Sequence, residues 1–183
     1  MKALSSYYLS IGIGFLFFVI SGSYAPTSYA SGDVYVHGTL IAEPCTLMPG
    51  DEEIEVDFDT IVDKYLYINT RTHPEPFSIH LIDCEVGIGE GVRVGFIGTE
   101  HATLPGLLAL DADSVATRVG VGILDSAGKL IPINSETPLY LLENGSNTLN
   151  FQGYVEAELD AIKNKTIGLG TFKATAVFIL NYE

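Results

Sequence analysis

Basic residues are scarce in this chain: Lys and Arg number 9 against 23 Asp and Glu, for a formal net charge of −14. Binding to nucleic acid phosphates or to an anionic lipid surface is therefore disfavoured. The acids are scattered, so a solvated exterior accounts for most of them. Cysteine is confined to Cys45 and Cys84, which do not form a redox-type Cys-x-x-Cys pair. No further ligands stand near them at zinc-site spacing, and an even pair reads as one structural disulfide if the chain is exported. Closing that loop is worth about 3–4 kcal/mol in the chain-entropy model. Catalytic motifs are also missing. His37, His73, His80 and His101 stand alone, with no carboxylate or cysteine at metal-ligand spacing, and no serine sits in a Gly-x-Ser-x-Gly elbow. Asp111-Ala-Asp113 lacks the other oxygens of a calcium loop, and Gly87-Ile-Gly89-Glu-Gly91 lacks the third glycine and the helix of a dinucleotide site. No catalytic, cofactor or metal site is expected.

The longest apolar run, residues 11–20, is shorter than the ~20 residues that span a bilayer. With Lys2 before it and Ser28-Tyr29-Ala30 after it, the segment has the three zones of a secretory signal peptide. Cleavage is expected after Ala30. The alternative, after Ser23-Tyr24-Ala25, would leave Pro26 first, a poor substrate for signal peptidase. No cysteine follows the site to take a lipid anchor, and no direct membrane insertion is expected. Residues 31–183 have the length of one domain with a real core.

What remains is rich in short β-forming runs separated by Gly, Pro, Asn and Asp, without a long stretch of helical period. The expected fold class is all-β. Candidate strands are residues 34–42, 54–58, 77–84, 92–97, 119–124, 129–133, 148–155 and 171–182. Asp125-Ser-Ala-Gly128 reads as a hairpin turn. Residues 103–117 and 156–165 are the places for a helical turn inside crossover loops. Short strands at this spacing, with a disulfide from an early strand to a middle one, favour an immunoglobulin-like β-sandwich.

The two ends are complementary. Phe172, Ala174, Ala176, Phe178, Leu180 and Tyr182 alternate along one side of the last strand, the mark of a strand with one face in a core. Nothing after Glu183 supplies its next neighbour, so it is expected at a sheet edge or completed by another chain. Val34, Val36, Gly38 and Leu40 form a second alternating set, placed before the disulfide-closed part of the chain.

These features together resemble the chaperone-usher pilins of Gram-negative bacteria. The resemblance runs through Asp33-Val-Tyr-Val-His-Gly-Thr-Leu-Ile-Ala-Glu-Pro-Cys45, through Ile79-His-Leu-Ile-Asp-Cys84, and through Gly170 and the penultimate Tyr182 with alternating apolar residues between them. Val94-Gly-Phe-Ile-Gly-Thr-Glu-His-Ala-Thr-Leu-Pro-Gly106 and Gly120-Val-Gly-Ile-Leu-Asp125 most resemble minor tip or adaptor subunits of P-type pili. The resemblance implies a signal peptide at 1–30, an N-terminal donor-strand extension at 31–43 and a pilin domain at 44–183. That domain would be an incomplete immunoglobulin-like sandwich lacking its last strand.

In such proteins a periplasmic pilus chaperone first fills the groove beside the final strand and binds the terminal carboxylate, here at Glu183. At an outer-membrane usher, the extension of a neighbouring pilin subunit replaces the chaperone, and the finished fimbrium stands on the cell surface. Val34, Val36 and Leu40 would be the apolar inserts, with Gly38 where the groove is shallow. Gly170, Phe172, Ala174, Ala176, Phe178, Leu180, Tyr182 and Glu183 would form the acceptor groove and the chaperone-binding strand. A terminator subunit would carry the same signatures. A tip adhesin would need an additional lectin domain, for which residues 31–183 have no room.

Overall fold

The computed structural model describes residues 33–38, 43–87 and 90–183. Residues 1–39 form one unit and residues 40–183 another. In the first unit, residues 33–38 are all exposed and lie outside any strand. The expected signal peptide with its cleavage site after Ala30, and Leu40 of the expected donor strand, lie outside the described residues.

The second unit is built from β1 (Thr46–Leu47), α1 (Asp63–Asn69), β2 (Glu75–Cys84), β3 (Gly91–Gly98), β4 (Val119–Asp125), β5 (Leu130–Ile131), β6 (Tyr140–Leu141), β7 (Gly145–Ala157), α2 (Leu159–Asn164) and β8 (Ala176–Tyr182). One sheet has the order β1-β2-β7-β4-β5 and the other β6-β3-β8. Every pairing is antiparallel. Alternation of inward apolar and outward polar residues, expected of strands with one wet face, sets the core between the sheets. Ile79, Leu81 and Ala157 are fully buried there. The Phe151 ring of β7 meets Phe96 of β3 at 5.2 Å, Phe77 of β2 at 5.5 Å and Tyr140 of β6 at 6.2 Å. The edge-on contacts with Phe96 and Tyr140 lock one sheet to the other, while the tilted contact with Phe77 packs within the five-stranded sheet. A disulfide joins Cys45 to Cys84 across a sequence separation of 39. It ties the residue before β1 to the last residue of β2.

The turn at 125–128 closes the β4–β5 hairpin, with Gly128 at φ +78° donating its N–H to the Asp125 carbonyl. Residues 156–165 contain α2, as the sequence suggests. Residues 103–117 form no helix. Leu104 and Leu107 instead cover the outer face of the five-stranded sheet, packing with Leu124 and Tyr154 into a second, smaller apolar cluster. The Tyr154 ring covers Gly122, where a Cβ would come within 2.3 Å of the ring. Expected strand 54–58 makes no ladder at all, and the last strand is paired only from Ala176 onward.

Candidate functional site

β8 pairs with β3 along one edge, from Val92↔Tyr182 to Gly98↔Ala176. Among the described residues, no strand lies on its other edge. The inward residues of β3 are sealed, with Val92 and Val94 at 0 % exposure. Those of β8 are not. Phe172, Ala174, Ala176, Phe178, Leu180 and Tyr182 all pack against the core yet remain half-buried, while every residue between them is exposed. The alternation expected from the sequence thus holds from Thr171 to Tyr182, beyond the paired strand itself.

Residues 171–175 leave the ladder because they bond elsewhere. The Thr171 carbonyl accepts the N–H groups of Val115 and Ala116, at 2.8 and 3.1 Å. The Asp111 N–H donates to the Lys173 carbonyl at 2.8 Å, and the Thr175 hydroxyl donates to Asp111 Oδ2 at 2.7 Å. Gly170 sits against the same loop at φ +146°, and a Cβ there would lie 2.5 Å from Val115 Cγ1. Both its backbone angle and its close approach require glycine.

A second margin mirrors the first. Within 54–58, Ile54, Val56 and Phe58 are half-buried while Glu55 and Asp57 are exposed. This is the period of an extended chain with one face on a core. Phe58 and Val56 stand over the inner face of β7, since a Cβ on Gly153 would meet Phe58 Cζ at 3.1 Å and Val56 Cγ1 at 3.4 Å. The segment therefore lies in the same layer as β8, opposite the five-stranded sheet. Its Phe58 ring approaches Phe172 at 6.3 Å. Among the described residues, its backbone takes part in no ladder.

The far end of β8 is anchored. Glu90 and Gly91 donate their N–H groups to the main-chain oxygen of Glu183 at 2.8 and 3.1 Å, and the Glu183 N–H returns a bond to Gly91 at 3.0 Å. The Glu183 side chain accepts from Arg93 Nε at 2.8 Å, and that hydrogen bond holds the guanidinium more firmly protonated than usual. Burial, and secondarily Glu43, raises the Tyr182 phenol above its ordinary range.

The lip at 54–58 is strongly acidic. Asp51, Glu52, Glu53, Glu55, Asp57 and Asp59 follow one another with no intervening base. Asp51 is tied to His80, its Oδ2 lying 2.9 Å from the ring Nδ1. Among the described residues, Glu52, Glu53, Glu55, Asp57 and Asp59 have no cationic partner.

Two half-covered apolar margins with unpaired backbone can accept one more strand, which would supply the missing hydrogen bonds and cover the side chains between them. The arrangement offers no nucleophile or acid–base pair. His80 with Asp51 is a structural tie, as is His101 with Glu158 and Arg118. Among the described residues, no group of His, Cys, Asp and Glu is placed to hold a metal ion, and no helix is long and apolar enough to cross a membrane. Sequence reasoning names β8 but treats 54–58 as an ordinary strand. Its alternation of acids with apolar residues marks an inward face but not a missing neighbour.

A family model described as fimbrial protein matches residues 34–183. The chain is 32% identical over 163 residues to a Proteus mirabilis (strain HI4320) protein named as minor fimbrial subunit PmfF, covering 88% of this chain and 90% of that one. It is 32% identical over 180 residues to the fimbrial adapter PapK of Escherichia coli, covering 95% of this chain and 98% of PapK. The crystal structure of the P pilus rod subunit PapA superposes with a TM-score of 0.67 at 20% identity, covering 77% of this chain and 100% of that one. The shared architecture is an immunoglobulin-like sandwich short of one strand.

Proposed function

The chain belongs to the fimbrial protein family, and from that membership we propose that it is a minor, adaptor-type subunit joined to its neighbours by donor-strand exchange. Members of the family are structural, non-enzymatic subunits of chaperone-usher pili, which stand on the cell surface. The observation that carries the finer reading is the pair of unpartnered margins at β8 and 54–58. A periplasmic chaperone lends a strand to this groove first, and the extension of the next subunit replaces it at the outer-membrane usher. Cleavage after Ala30 frees this chain's own extension, residues 31–43, whose Val34, Val36 and Leu40 enter the groove of the preceding subunit, with Gly38 at a shallow point. Names given to PmfF and PapK support the minor, adaptor role.

Two measurements test this. The mature subunit purified without any donor should aggregate or self-associate, because its groove combines apolar side chains with unpaired backbone. A soluble, stable monomer would overturn the proposal. Gly38→Arg should leave chaperone capture intact and block insertion into the preceding subunit, since a charged side chain would lose its hydration in the groove. Normal assembly of that variant, followed by gel, would exclude residues 33–40 as the donor.

A further inference from the structure

We propose that the groove selects its occupant by charge: the strand that fills it carries Lys or Arg on its outward face, and the extension of a second copy of this chain is a poor fit. This rests on the strand-addition reading above and deepens it. Neighbouring strands lie about 4.8 Å apart, and side chains on the same face of adjacent strands come within about 5 Å. A strand laid against residues 54–58 therefore sets its outward side chains beside Glu55 and Asp57, the exposed members of that segment. Glu52, Glu53 and Asp59 extend the same lip, and none of the five is neutralised by a cation among the described residues. Like charges side by side on adjacent strands are destabilising, and opposite charges are favourable.

The chain's own extension has the wrong composition for this lip. From Asp33 to Glu43 it contains two acids and no Lys or Arg. With Val34, Val36, Gly38 and Leu40 inserted, the outward positions are Asp33, Tyr35, His37 and Thr39. A second copy would bring a carboxylate to the acidic margin and no cation. Self-polymerisation is thereby disfavoured without any steric block, and a different subunit with a basic outward face is preferred.

The test uses the subunit–chaperone complex purified from the periplasm and synthetic peptides of residues 31–43. One peptide is native, one carries Tyr35→Lys with His37→Lys, and one carries Tyr35→Glu with His37→Glu. Chaperone release is followed at an ionic strength of about 0.01 M, where the screening length is about 30 Å, and at about 1 M, where it is about 3 Å. At low salt the lysine peptide should act roughly tenfold faster than the native one, with the glutamate peptide slowest. The three should converge at high salt. A subunit bearing Glu55→Gln and Asp57→Asn should abolish the ranking, and comparing peptides within one subunit cancels any change in chaperone affinity. Equal rates at low salt, or a ranking that survives in the neutralised subunit, would overturn charge selection alone. If no peptide enters under any condition, strand addition itself fails and this inference with it.

Discussion

β7 and β8 follow the same rule, an apolar residue at every second position facing inward, and end in different states. Leu149, Phe151 and Val155 of β7 are buried, whereas Phe178, Leu180 and Tyr182 of β8 are only half-covered. The strands differ in their neighbours. β7 lies between β2 and β4, while β8 has β3 on one edge and no strand among the described residues on the other. Alternation therefore reports which face of a strand points inward, and pairing decides how completely that face is sealed. An apolar side chain contributes about 1.5–3 kcal/mol only when its burial is complete. The residues of β8 leave part of that burial unrealised.

Four experiments would break or sharpen the contrast, the largest effect first. Phe151→Ala removes the ring that holds both sheets together and should cost about 3–5 kcal/mol in urea unfolding of the donor-complemented subunit. Little change there would mean that the sealed region is not what stabilises the fold. Replacing Cys45 and Cys84 with Ala should lower stability by about 3–4 kcal/mol in the same assay. Phe178→Ala should weaken donor-peptide binding roughly tenfold or more, because that side chain completes its burial only when the groove is filled. If Phe178→Ala instead lowers stability without affecting peptide affinity, β8 is ordinary core and the contrast fails.

The smallest effect lies away from both strands. Hydrogen bonding from Arg118 holds Glu158 below the usual carboxylate range, against opposing desolvation, with Thr103 adding a further bond. A depressed folded-state value contributes stability that is present above the ordinary carboxylate range and lost as pH falls through the lowered one. Glu158→Gln should flatten that acid limb, with an effect below about 1 kcal/mol in urea midpoints measured between about pH 5 and 3.

The inward face of residues 171–182 is legible in sequence because alternation survives even where pairing does not. The paired length is not legible, since Thr171 and Lys173 spend their carbonyls on the loop at 111–116. Residues 54–58 alternate as a strand should, and nothing within them tells that their partner is absent. α1 escapes notice because seven residues with Leu66 as the only buried one show no helical period. The cluster of Leu104, Leu107, Leu124 and Tyr154 depends on a loop folding back over the sheet, a long-range event that local pattern does not encode. His80 meets Asp51 across 29 residues for the same reason.

The disulfide also has a mechanical side. If the extension is inserted in a neighbour as proposed, load on a fibre under tension would reach this subunit through residues 31–43 and arrive at Cys45. The sulfur bridge hands that load directly to Cys84, so the intervening chain, set by a separation of 39, stays outside the covalent path of the force. Were the domain to unravel under load, those residues could not pay out, and the tether would fall short by about 130 Å of contour length. Stretched oxidised subunits should therefore yield less slack than reduced ones.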